Sequence, residues 1–213
     1  MKVELLHVTP MHVLVKAIRK CYGSGDRSDS QTIEGEYILG VKDKELIIKV
    51  IDSDHLSTIE HVNFTFDMSG YSRALLQEKS RHRIMSPSER STRYCLKKMK
   101  TENTFIGASR EKLEQYIVFT GEEMVDNFSV LALENLRLCI VAEIPNDKAK
   151  YCLPDSLISE CILTTNARSL RNFLKLRSNI RALWEIRLMA QLTYESIPNQ
   201  YKFLFDNCMY KED

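Results

Sequence analysis

Val62, Phe64, Phe66 and Met68 alternate with Asn63, Thr65 and Asp67. A period of two with aromatic residues on one face predicts a half-buried strand over residues 61–68. Residues 72–80 follow with helical spacing and run directly into Arg81. A strand, a helix and a basic segment in unbroken succession constrain the fold strongly, because the strand's apolar face must be covered and the helix end must point the basic segment somewhere. Residues 3–8 predict a second strand. Thr9 and Pro10 then open a helix, with Thr as N-cap, Val13, Leu14, Ala17 and Ile18 on its apolar face, and an end near Cys21. Residues 42–51 predict another helix, residues 111–142 a helical stretch broken near Gly121, and residues 169–194 a long one broken near Ser178 and Asn179. Pro145 and Pro154 bracket a connector. The class is α+β: a small, mostly antiparallel sheet with surrounding long helices. A chain of 213 residues fits a single domain over 1–213, with a mobile tip near 205–213.

The basic segment, residues 81–94, holds Arg81, His82, Arg83, Arg90 and Arg93, five hydroxyls (four from Ser or Thr and one from Tyr94) and one acid, Glu89. The whole chain carries a net charge of only +1. The composition therefore suits a local anion site and argues against a dedicated duplex-DNA binder. Two guanidiniums ~7 Å apart repel by ~2 kcal/mol at an effective dielectric of 20. Either they splay into solvent or an anion organises them, and Glu89 cannot neutralise them all. Pro87 ends regular structure on this reading, leaving the rest of the segment as loop. A bound phosphate, a solvated loop and a nucleic-acid contact all remain open.

Two further groups stand out. Arg168 and Asn172 share a helix face at i, i+4, within a stretch that also holds Asn166, Arg171, Lys175 and Arg177. Ser57 and Glu60 have the S-x-x-E form of a capping box, between His55 and His61. The six-residue His spacing is not a zinc pattern, and no metal is expected. The six cysteines show no C-x-x-C and sit mostly beside apolar residues, as buried free thiols of a reduced, cytoplasmic protein do. The N-terminus reads as strand, without a signal-peptide core, and no apolar run is long enough for a membrane span.

Together the three groups resemble a known family. Arg81-His82-Arg83, Ser86, Glu89, Ser91, Arg93 and Tyr94 keep the spacing of the defining motif of the flavin-dependent thymidylate synthases. His55, Ser57, Glu60 and His61 resemble its upstream segment, and Asn166, Arg168, Ser169, Asn172 and Arg177 its C-terminal one, over roughly residues 10–195. The resemblance implies reductive methylation of dUMP to dTMP with FAD. The carbon donor would be 5,10-methylenetetrahydrofolate and the reductant NADPH, with no enzyme cysteine as nucleophile. It implies a homotetramer with sites shared between subunits, and neither nucleic acid nor membrane as partner. It assigns FAD to Ser57, Glu60, Arg81, His82, Arg83, Glu89, Asn166, Arg168 and Asn172. It assigns dUMP to Glu78, Arg81, Glu89, Arg90, Ser91, Thr92, Arg93, Lys150 and Arg177, with Arg177 facing the uracil as the catalytic group and Ser91 only binding. Glu78, Ser88, Lys150 and Arg181 depart from the family's commonest residues. The alternative is a non-catalytic nucleotide- or RNA-binding module using the 81–94 loop; a third reading is a structural oligomeric protein.

Overall fold

The computed structural model describes residues 1–210. In chain order the elements are β1 (Lys2–Val8), α1 (Met11–Cys21), β2 (Gln31–Ile33), β3 (Glu36–Ile38), α2 (Val41–Asp52), β4 (Asn63–Ser72), α3 (Arg73–Lys79), β5 (Met85–Glu89), α4 (Thr92–Cys95), α5 (Arg110–Leu113), α6 (Glu123–Val141), α7 (Asn146–Ala149), β6 (Ile158–Asn166), α8 (Ala167–Arg177), α9 (Trp184–Ser196) and α10 (Asn199–Lys202). Short 3-10 turns at Thr58–His61, Leu96–Thr101, Lys150–Cys152 and Phe203–Phe205 join several of them. Four strands form one sheet in the order β1-β4-β6-β5, and β2 pairs with β3 in a hairpin.

The pairing is antiparallel throughout. Thr65 and Thr164 share a side-chain hydrogen bond while the Arg73 N–H donates to the Leu157 carbonyl, so one index rises as the other falls. Thr165 Oγ1 donates to the Ile84 carbonyl and the Arg90 N–H to the Glu160 carbonyl, which sets β5 against β6 in the same sense. The β2–β3 register places Thr32 opposite Tyr37. The α+β class with a small antiparallel sheet is as expected.

The chain gathers into two compact units: residues Met1–Lys2, Met68–Arg81 and Ser88–Cys161, and residues Val3–Asp67, His82–Pro87 and Ile162 onward. In the first, α6 packs Leu133, Leu136 and Ile140 against Leu96, Met99, Phe105 and Tyr116. Gly70, at φ +75°, lets β4 pass the Met1 backbone; a Cβ there would stand 3.2 Å from Met1 Cα. In the second, Phe64 is the hub: its ring meets Tyr201 at 6.0 Å and Phe205 at 5.6 Å, both edge-on. Phe205 and Cys208 are buried, and the Tyr210 N–H donates to Ser178 Oγ. The remainder of the tip, 211–213, lies outside the described residues.

Several local expectations are corrected. Segment 85–89 is a strand and 92–95 a short helix, not loop. Pro87 is tolerated because β5 is the sheet's edge, where a missing N–H breaks no ladder. Thr9 does not cap α1: Pro10 holds the N-cap position, and Thr9 Oγ1 accepts from the Asn63 N–H at 3.0 Å. The buried stripe of α1 is Met11, Leu14, Val15 and Ile18, rotated from the expected face. Ser57 gives no capping bond, because only a 3-10 turn follows and no α-helix end needs closing. Of the thiols, Cys161 and Cys208 are buried, Cys21 is exposed and the other three are half-buried.

Candidate functional site

In the second unit, β6 hands directly to α8 at Asn166. This residue is the helix N-cap: its Oδ1 accepts from the Ser169 N–H at 2.9 Å. Turns of α8 then present Arg168, Asn172 and Arg177 in succession. Arg168 Nη1 donates to Glu60 Oε1 at 2.7 Å, an exposed pair that ties α8 to the Thr58–His61 turn. Asn172 is exposed. Arg177, at the helix end, is half-buried; its Nε donates to His82 Nε2 at 2.8 Å. His82 is itself buried and rests edge-on against Phe173, ring centroids 5.1 Å apart. Nε2 is therefore the acceptor nitrogen of the imidazole. Arg83 beside it is exposed, as is Ser57, and Ile84 takes a positive φ of 58° that turns the chain into β5.

In the first unit, α3 is capped by Ser72, whose Oγ accepts from the Leu75 N–H. Glu78 is half-buried on α3 and Arg81 follows, exposed. Glu89 closes β5, Arg90 pairs loosely with Glu160 at 3.8 Å, and Ser91 and Thr92 begin α4 half-buried. Arg93 is exposed, with its carbonyl accepting from Asn146 Nδ2 at 2.7 Å. Lys150 is exposed on its 3-10 turn. A cleft beside this segment is lined by Arg73, Arg90, Thr92, Lys98 and Ser159.

Glu89 does not serve the arginines. Its Oε1 accepts from Tyr71 Oη at 2.5 Å and Ser159 Oγ at 2.7 Å, and its Oε2 from Lys79 Nζ at 2.9 Å. Lys79, Tyr71, Ser159 and Cys161 escaped the sequence reading. One signal was available: Lys79 lies four residues after the buried Leu75, on the core-facing side of α3. Burial pushes the Tyr71 phenol up, and the adjacent Cys161 and Glu89 push it the same way. Among the described residues, Arg81, Arg83 and Arg93 form no ion pair with a carboxylate. Cations without a carboxylate partner, next to hydroxyls and backbone N–H groups, fit anionic ligands.

The family model for thymidylate synthase complementing proteins matches residues 4–200. The chain belongs to the flavin-dependent thymidylate synthase family. Its family relatives include enzymes named flavin-dependent thymidylate synthase from Campylobacter jejuni, 46% identical over 100% of this chain and 99% of that protein, and from Wolinella succinogenes, 44% identical over 100% of both. Among solved structures, the flavin-dependent thymidylate synthase ThyX of Helicobacter pylori, complexed with FAD and dUMP, superposes with a TM-score of 0.90. It is 40% identical, over 99% of this chain and 100% of that one. The chain is thus an enzyme of this flavin-dependent family, with its three sequence motifs all inside the matched range.

Proposed function

We propose that this chain binds FAD and dUMP and methylates dUMP reductively to dTMP, with 5,10-methylenetetrahydrofolate as carbon donor and NADPH as reductant. The reading rests on one observation: 40% identity and a TM-score of 0.90, end to end, with a protein crystallised with FAD and dUMP. The local chemistry supports it. Exposed Arg81 and Arg83 suit the flavin diphosphate, and His82, Ser57, Glu60, Asn166, Arg168 and Asn172 are the residues the motifs offer to the rest of the cofactor. Arg90, Ser91, Thr92, Arg93 and Lys150 suit the nucleotide phosphate, and the family resemblance adds Glu78 and Arg81 to the dUMP set. Arg177 faces the uracil and stabilises negative charge at N3, a charge-assisted bond contributing ~1.5–3 kcal/mol.

A methylene carbon needs two more electrons to become a methyl group. Bound FAD supplies the hydride relay from reduced nicotinamide, so tetrahydrofolate leaves unoxidised. The chain's part is to hold the uracil, orient it and fix charge around it. Catalysis needs no enzyme thiol, and none of the six cysteines lies among the proposed site residues.

The working form is a homotetramer with sites shared between subunits. Support comes from α6, which exposes Met124, Phe128, Leu131 and Leu138 along one side. A stripe of that length on one helix suits a second copy of the chain. The assigned compartment is the cytoplasm, where the six free thiols stay reduced; among the described residues no helix is long and apolar enough to cross a membrane.

The decisive experiment is a spectrum of the purified protein, followed by reoxidation of its reduced flavin. Flavin absorbance, and reoxidation accelerated by dUMP with methylenetetrahydrofolate, are expected. A protein that stays colourless with added FAD overturns the reading.

A further inference from the structure

Lys79 is among the most buried charged groups in the first unit, its side chain 2% exposed. Its ammonium is saturated: Nζ donates to Tyr71 Oη at 2.7 Å, Glu89 Oε2 at 2.9 Å and Cys161 Sγ at 2.9 Å, and lies 4.3 Å from the Tyr71 ring centroid. Glu89 is equally committed, through Tyr71, Ser159 and Lys79. Burying an ion pair seldom adds net stability over an apolar pair of the same shape. The α3 position it occupies, in step with Leu75, would take a leucine or methionine. A buried lysine there calls for a reason other than packing.

The reason lies one residue beyond Glu89. Arg90 follows it directly and Arg93 lies three residues further on, and they are the cations offered to the nucleotide phosphate. An uncompensated carboxylate at 89 would draw those guanidiniums to itself and repel a phosphate dianion. We propose that Lys79 is a positioning residue for nucleotide binding: it neutralises Glu89 from the core side, so that the arginines after β5 meet the phosphate without a competing carboxylate. This rests on the reading that the 89–93 segment takes dUMP, and it adds a residue outside every motif of the segment.

The test uses the purified, FAD-loaded protein and calorimetric titration with dUMP, with thermal melts to establish folding. Lys79→Met should raise the Kd for dUMP about tenfold, equivalent to ~1.4 kcal/mol. The double variant Lys79→Met with Glu89→Gln removes both charges and should return to within about threefold of wild type. Rescue of dUMP affinity by the second substitution is a result that a packing defect at Lys79 does not produce. A Lys79→Met protein within threefold of wild type overturns the inference, as does a folded double variant no better than Lys79→Met. Should Lys79→Met fail to fold, the double variant decides alone: near-wild-type affinity supports charge neutralisation, and a tenfold loss overturns it. A wild-type protein that binds no dUMP overturns the parent reading and this one together, so the two failures are told apart by the first titration.

Discussion

Arg177 Nε donates to His82 Nε2 at 2.8 Å, joining the last residue of α8 to a buried imidazole 95 positions earlier in the chain. The bond fixes both partners: His82 must keep Nε2 unprotonated, and Arg177 must hold the edge of its guanidinium toward the ring. Arg177→Ala should lower turnover by about 10²–10³-fold, the size of a lost preorganised donor, with flavin content retained. His82→Gln, which keeps an acceptor, should retain more turnover than His82→Phe. Steady-state kinetics with flavin quantitation checks both; equal losses in the two His82 variants would remove the orienting role.

Asn166 combines a cap with a place in the flavin-lining set. Asn166→Ala should cost about 1 kcal/mol of stability through the lost N-cap. Asn166→Asp keeps the cap and should melt near wild type, yet bind FAD more weakly because a carboxylate opposes the diphosphate. Melting curves and FAD titration separate the two effects. An Asp variant that binds FAD normally would place Asn166 in the fold alone.

Acid stability should trace to Glu134. Arg137 donates to both its oxygens, Nη2 to Oε1 at 2.6 Å and Nε to Oε2 at 2.9 Å, and the Phe105 N–H adds a third bond. These hold the carboxyl down to about 2, from an ordinary 4.5. A folded-state value below the unfolded one stabilises fully above pH 4.5, and the gain is lost as pH falls through about 2. The contribution is at most about 3 kcal/mol. Glu134→Gln should be less stable at neutral pH and flatter in that acid window. Denaturant midpoints measured from pH 2 to 7 report it (about one midpoint per unit suffices); parallel curves for the two proteins would contradict it.

The exposed side of α6 gives a prediction about assembly. Phe128 is 63% exposed and Met124 72%. Phe128→Glu should leave the monomer folded and shift sedimentation to smaller species, with flavin lost in parallel if the sites are shared. Unchanged sedimentation would move the interface elsewhere.

The α+β class, β4, the arginine-rich segment and the break between α8 and α9 were all legible in the chain. Each depends on neighbours within a few positions: a period of two, a period of 3.6, or like charges crowded together. β6 was not legible, because its inward residues are Ser159, Cys161, Leu163 and Thr165 while Ile158 and Ile162 point outward, the reverse of an ordinary strand. The same strand supplies Ser159 and Cys161, two of the three partners around the Lys79–Glu89 pair. Local pattern thus determined which residues carry charge and where helices and strands run. Only the tertiary structure decided that Glu89 answers Lys79 and not the arginines, and that Arg177 answers His82. Those pairings depend on sheet order and helix packing, which bring together positions 10 and 95 residues apart and leave no trace in local spacing.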